Sequence, residues 1–252
     1  MNKKIYKIVI VLLIAAIGVM SIRLFIAVMP FKAESTDTKE GINYIASREK
    51  LNAAQEENSI RELSEDKSYE QALAEGNFRK AFSNIVISGD SIVKAIAEYG
   101  YLDYDRVIAE IGGNTSYLMG LSDKIIKANP KYLVLHYGEN EVESKEHAVS
   151  FIIQYKKCIT HLKEKLPNTK IFVDSIFPVT KNARKREPNL VNIAYYNTKL
   201  KKMAEELGVN YLDYTQVWKK YPKYYYDADG IHPIGTYYSE QYLPYIFAEV
   251  RK

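Results

Sequence analysis

Ser91 closes the stretch Asn84-Ile85-Val86-Ile87-Ser88-Gly89-Asp90-Ser91, and a helix-like run Ile92-Val93-Lys94-Ala95-Ile96-Ala97 follows. A short apolar strand, a Gly-Asp-Ser turn and a helix can present a serine as an exposed nucleophile. The strand end fixes its place, the glycine allows a sharp turn, and the helix start aims backbone N–H groups at negative charge. The same tripeptide also occurs in ordinary loops. A serine hydroxyl needs a base within hydrogen-bond reach. Of the four histidines, His136 lies in an apolar strand and reads as a hydrogen-bonded core residue. His147 and His161 lie among charged residues of a helical pattern and read as solvated. His232 stands in the polar turn Asp227-Ala228-Asp229-Gly230-Ile231-His232-Pro233, with Asp229 close enough to share one site. Such spacing also fits a plain helix-entry loop, and no second histidine completes a metal site.

Attack on a carbonyl creates an oxyanion that needs donors. The candidates are the Ser91 N–H, the Gly113 N–H (Gly112 is the one-residue-off alternative) and the Asn140 side-chain amide. Gly113 and Asn140 each read equally as turn residues after a strand. Taken together they mark the ends of separate strands, so the elements that carry them decide the matter.

Those elements alternate. Val107–Ile111 predicts a strand ending at Gly112-Gly113, and Asn114-Thr115-Ser116 caps a helix that Asn129-Pro130 stops. Tyr132–Tyr137 predicts a buried strand ending at Gly138, before a helix over about 146–165. Ile171–Val173 is another strand, 189–207 a helix ended by Gly208, and Val209–Asp213 the last strand. A tyrosine-rich loop leads to a final helix over about 236–251. This alternation implies an α/β domain with a parallel sheet covered on both faces. Ligands bind such sheets at the carboxyl ends of the strands, where Ser91, Gly113 and Asn140 emerge.

The N-terminal residues have another character. Lys3, Lys4 and Lys7 precede an apolar run from Ile8 to Phe31 broken among charged residues only by Arg23. Such a run can span a hydrocarbon core needing ~20 residues, with Arg23 snorkelling to the far interface. The basic flank favours an inside N-terminus, which exports the rest of the chain. A cleaved signal peptide is the alternative, although no clear A-x-A site follows. The expected organisation is a cytoplasmic flank and signal-anchor over 1–32, a polar, partly helical stem over 33–80, and a catalytic domain over 81–252. The net charge of +4 is too small to imply nucleic acid, and the single cysteine excludes an intrachain disulfide. Lys181, Arg184, Lys185 and Arg186 read as a basic loop, either solvated or facing a polyanion. Tyr221, Tyr224, Tyr225 and Tyr226 either stack on sugar rings or pack beside Trp218.

Four blocks together resemble the SGNH/GDSL hydrolase superfamily: Gly89-Asp90-Ser91, Ile111-Gly112-Gly113-Asn114-Thr115-Ser116, Gly138-Glu139-Asn140-Glu141 and Asp229-Gly230-Ile231-His232-Pro233. Ile92 replaces the usual leucine and Glu141 the usual aspartate, at a position that supports the loop more than the chemistry. The resemblance implies a flavodoxin-like three-layer α/β/α sandwich and acyl-ester chemistry with neither metal nor organic cofactor. It implies Ser91, Asp229 and His232 as catalytic residues and Ser91, Gly113 and Asn140 as the oxyanion hole. The expected function is ester hydrolysis or O-acyl transfer, with acetyl the expected group, on a cell-surface glycan or wall polymer outside the membrane. A membrane acyl-donor protein is the partner that transferase members imply. The competing reading is an inactive, surface-anchored scaffold with the same fold.

Overall fold

The computed structural model describes residues 38–220 and 225–252. The predicted Ile8–Phe31 span lies outside the described residues, as do Tyr221 and Tyr224. Among the described residues no helix is long and apolar enough to cross a membrane. The chain divides into two compact units, Met1–Glu62 and Leu63–Lys252.

The described part of the first unit is the leading stretch of helix α1 (Thr38–Ala74). Among its described side chains, Ile42, Tyr44 and Ile60 are exposed. Its leucines and isoleucines are spaced too loosely in the sequence to make an apolar stripe. The final turns of α1 belong to the second unit, where Tyr69, Ala72 and Leu73 join the core. There Arg251 lies over the Tyr69 ring and pairs with Asp66 at 3.7 Å.

The second unit is built on five parallel strands in the order β2-β1-β3-β4-β5. These are β1 (Ile85–Gly89), β2 (Val107–Ala109), β3 (Tyr132–His136), β4 (Lys170–Asp174) and β5 (Asn210–Leu212). After a short helix α2 (Phe78–Ala81), the main crossovers are α3 (Ser91–Glu98), α4 (Thr115–Ala128), α5 (His147–Lys165) and α7 (Ile193–Leu207). Side chains alternate between two cores, as the strand pleat requires. Ile85, Ile87, Tyr132, Val134 and Phe172 meet α3 and the C-terminal helix α9 (Leu243–Val250). Val86, Leu133, Leu135, Ile171 and Val173 meet α4, α5 and α7. Both faces are covered, which is why the strands read as continuous apolar runs. The register pairs Gly89 with both Ala109 and His136, so β1, β2 and β3 end side by side.

Three expected segments differ. Lys181–Arg186 is a helix, α6, capped by Thr180 Oγ1, which accepts the Ala183 N–H at 3.2 Å. Ahead of α7, Pro188–Asn192 forms a separate 3₁₀ turn. The final helix is broken into a turn (Gly235–Tyr237), a π turn (Tyr238–Tyr242) and α9. Pro244 has no N–H to offer the preceding turn, and the helix widens just before it. Helix α8 (Thr215–Lys220) completes the set.

The tyrosines mostly pack. Trp218 stacks on Tyr226 at 4.3 Å and on Tyr237 at 4.4 Å. Tyr225 is buried and its hydroxyl donates to Glu240 at 3.0 Å, so it is not placed to stack on a sugar. Phe177 joins this group to the sheet, meeting His136, Tyr214, Trp218, Tyr237 and Tyr242. Phe177→Ala should therefore cost about 3–5 kcal/mol of folding stability, the range for emptying a buried aromatic site. Urea unfolding followed by tryptophan fluorescence, with Trp218 beside the mutated site, measures it.

Candidate active site

β1 delivers Ser91. Asp90 caps α3 by accepting the Ile92 N–H at 2.9 Å, and Ser91 is the first residue of that helix. Gly89 does not need a left-handed backbone here. It needs room: a Cβ would lie 2.6 Å from the His136 carbonyl oxygen and 2.8 Å from Val93 Cβ. The Gly-Asp-Ser glycine thus lets the helix and the neighbouring strand close on β1.

His232 arrives from the other side, on the loop before the Gly235–Tyr237 turn. Its Nε2 lies 3.0 Å from Ser91 Oγ, and its Nδ1 lies 2.6 Å from Asp229 Oδ2. Asp229 Oδ1 accepts the Ile231 N–H at 2.8 Å and the His232 N–H at 3.0 Å. Partial burial alone would raise the Asp229 carboxyl. These N–H groups and the imidazole outweigh it and hold the acid below its usual 3.8. An ionised Asp229 fixes the proton on Nδ1 and turns the Nε2 lone pair toward Ser91, a tautomer assigned from these contacts. The one turn expected to present both side chains does so. Gly230 supplies its positive φ of 69°, and Thr180 packs into the space a side chain there would need.

β2 and β3 bring the remaining candidates. Gly112 has a φ of 69°, and the Gly113 N–H donates to the Glu110 carbonyl at 3.0 Å, closing a tight turn. In this state the Gly113 N–H is therefore committed within the turn rather than free for an oxyanion. Gly113 also lies against the Gly89–Ser91 turn: a Cβ would come 3.1 Å from Gly89 O and 3.2 Å from Asp90 Cα. Asn140 Nδ2 donates to the Gly113 carbonyl at 3.0 Å and lies 3.5 Å from Asp90 Oδ2. One amide hydrogen thus fastens the two loops while the other lacks a short bond. Glu141 accepts the Thr115 hydroxyl at 2.6 Å and the Thr115 N–H at 3.1 Å, tying the Asn140 loop to the start of α4. The longer acid keeps the supporting role implied for its position. Among the described residues, no group of three or more His, Cys, Asp or Glu side chains could hold a metal ion.

Two polar features beneath the site escape sequence reading. His136, on the last residue of β3, meets Asp174 through Nδ1 at 3.2 Å, and Tyr242 donates to the same Asp174 oxygen at 2.7 Å. Burial disfavours a charged His136, but the Asp174 bond and the fields of Asp90 and Asp174 outweigh it and raise its affinity for a proton. Its expected role as a hydrogen-bonded core histidine matches this setting. The other feature is Glu139, beside Asn140. Both its carboxyl oxygens are buried without a hydrogen-bond partner. Burial, then the fields of Asp90, Glu187 and Asp229, push it well above its usual 4.5. The only sequence signal for Glu139 is its adjacency to Asn140.

A parallel-sheet domain with a Ser–His–Asp chain at its strand ends defines an α/β serine hydrolase type of protein. The chain belongs to the GDSL-like lipase/acylhydrolase family, which its residues 69–238 match, and it is an enzyme acting on ester bonds. Solved structures share the fold at low identity. A lipase/acylhydrolase from Enterococcus faecalis is 17% identical with a TM-score of 0.52, over 66% of this chain and 94% of that one. An acetyl xylan esterase, AlAXEase, is 18% identical with a TM-score of 0.50, over 66% and 98%. An acetyl-xylooligosaccharide esterase from a Geobacillus species is 15% identical with a TM-score of 0.51, over 66% and 93%. No curated protein matches the chain in sequence.

Glu139 makes the stability of the site pH-dependent with a defined sign. Its folded-state affinity for a proton is raised, so the folded state binds more protons than the unfolded one above about pH 4.5. Its contribution is greatest below that pH and falls as pH rises toward the raised value. Glu139→Gln removes the titration, so the melting temperature of the variant relative to the native protein should rise between pH 4 and pH 8. Calorimetry across that range checks it; a constant difference would refute a neutral buried Glu139.

Proposed function

We propose that Ser91 is the nucleophile of an acyl-ester hydrolase or O-acyltransferase, with His232 as its base and Asp229 as the group that orients His232. The continuous chain from Ser91 Oγ to His232 to Asp229 carries this reading. Ser91 Oγ attacks the ester carbonyl carbon while its proton passes to His232 Nε2. The oxyanion is held by the Ser91 N–H and by the Asn140 amide hydrogen whose bond to Asp90 is the longer one, at 3.5 Å. Gly113 becomes a third donor only when its N–H leaves the Glu110 carbonyl. Collapse breaks the bond to the leaving alcohol, which takes the proton from His232 and leaves acyl-Ser91. Water, or the hydroxyl of an acceptor sugar, then enters by the reverse sequence.

The proposed substrate is an acetylated cell-surface glycan or wall polymer. The names of two solved relatives, an acetyl xylan esterase and an acetyl-xylooligosaccharide esterase, support acetyl esters on sugars. The Lys3–Lys7 flank and the apolar Ile8–Phe31 run support an anchored enzyme whose catalytic domain faces outward. A membrane acyl donor would be its partner if the acceptor is a sugar. The SGNH reading implies no cofactor.

Ser91→Ala should lower hydrolysis of a short aryl acetate by at least about 1,000-fold and abolish labelling by a fluorophosphonate. Asn140→Ala should lower kcat by about 100- to 1,000-fold, the typical loss for one oxyanion donor. Undiminished labelling of the Ser91 variant would remove Ser91 as nucleophile, and an unreactive native protein would favour the scaffold reading. Incubation with an acetylated glycan and an acceptor sugar separates the two chemistries. Free acetate alone means hydrolysis, and an acetylated acceptor means transfer.

A further inference from the structure

Helix α6 carries four exposed cations, Lys181, Arg184, Lys185 and Arg186, around the single buried residue Ala183. Among the described residues, none of the four lies within ion-pair distance of a carboxylate. By contrast, Lys156 and Lys202 of the same unit both pair with Glu206. Glu187, just after the helix, is the one acid in the stretch. Cations in a last helical turn favour the helix dipole, which accounts for Arg184, Lys185 and Arg186 in structural terms alone. It does not account for Lys181, which sits in the first turn where a cation opposes the dipole.

The helix is fastened at both ends to the turn that bears Asp229. The Thr180 N–H donates to the Gly230 carbonyl at 2.9 Å, and the Arg186 guanidinium donates to the Asp229 carbonyl. His232 follows in the same turn, so the basic face begins beside the proposed catalytic site. Arg184 also forms one wall of a cleft of about 160 Å³ whose other walls include Pro178, Leu190 and Val191. One guanidinium among apolar surfaces suits a sugar ring that carries an acid group. The C–H face of the ring meets the apolar walls, and the planar fork takes the carboxylate through two parallel hydrogen bonds. A bare phosphate would make no use of those walls.

We infer that the α6 face is a docking surface for a carboxylate-bearing glycan, so that the polymer whose esters reach Ser91 is an acidic polysaccharide. This rests on the proposed function for the ester chemistry but not for binding. The cations attract the polymer as a chain and hold it across the Asp229–His232 turn. Their effect is screened by salt, because the side chains are exposed.

The test uses the full chain and the triple variant Lys181→Gln/Arg184→Gln/Lys185→Gln, leaving Arg186 on Asp229. Its probes are acetylated polygalacturonate, neutral acetylated xylan, a short aryl acetate, and de-esterified polygalacturonate for binding alone. The native protein should bind de-esterified polygalacturonate at low salt. The variant should bind it at least about tenfold more weakly and lose a similar factor in kcat/KM on the acetylated form, since steering by exposed charge supplies factors of ~10 to 1,000. Its rates on acetylated xylan and aryl acetate should stay within about twofold of the native rates, as charge removal leaves uncharged substrates unaffected. Equal losses on xylan would overturn the inference, as would unchanged binding or a native preference for polyphosphate or anionic vesicles over polygalacturonate. Absent aryl acetate hydrolysis with intact, variant-sensitive binding would instead sink the catalytic reading and leave the docking surface standing.

Discussion

The site depends on how closely three strand ends are allowed to approach one another. The His136 carbonyl and the Val93 side chain occupy the space a Gly89 side chain would fill, and Gly113 presses on the next peptide of the same turn. Asn140 bridges to the Gly113 carbonyl across that contact, and Glu141 ties its loop to α4. Backbone therefore meets backbone at the point where Ser91 leaves the sheet. Interiors pack at close to crystal density, so an added methyl group there would have to displace the main chain. Gly89 and Gly113 act as spacers, whereas Gly112, Gly138 and Gly230 take positive φ, Gly112 and Gly230 standing one residue from Gly113 and Asp229 respectively.

Much of this was legible because parallel strands buried on both faces leave unbroken apolar runs, and because the breaks between them carry capping chemistry. Asn114 accepts the N–H groups of Ser116 and Tyr117 as its place in the sequence suggests, and Asn129 and Gly208 end their helices in the left-handed conformation. The convergence of Ser91, Gly113 and Asn140 follows from the rule that parallel strands share an end. The state of Gly113 did not follow, since the use of a backbone N–H depends on a turn geometry that residue types underdetermine. Partners far apart in the chain were equally invisible: Asp174 lies 38 residues from His136 and 68 from Tyr242. The basic run at 181–186 lacked the length and apolar periodicity that mark a helix, and the Thr180 cap, the buried Ala183 and the Asp229 turn hold it in that form.

Beneath the Ser91–His232 pair lies a layer of buried ionisable side chains: Asp90, His136 and Asp174, with the Tyr242 hydroxyl closing one end. A buried charge is costly unless opposed, and here each acid has the imidazole within its field. Phe177 and Tyr242 pack edge-on against that imidazole and shut it off from water. Tyr214, Tyr225, Tyr237 and Tyr238 pack in the same core, with Trp218 stacked on Tyr237.

Ser91 and His232 are 141 residues apart in sequence, yet they share one hydrogen bond. The turn bearing the proposed nucleophile is completed by neighbours in the first half of the sheet, whereas its proposed base lies on the last connection, after β5 in the chain. The two halves of the proposed reacting pair thus come from opposite ends of the domain's chain. Local opening of the final segment would disarm the enzyme while the sheet, and the serine at its edge, remain folded.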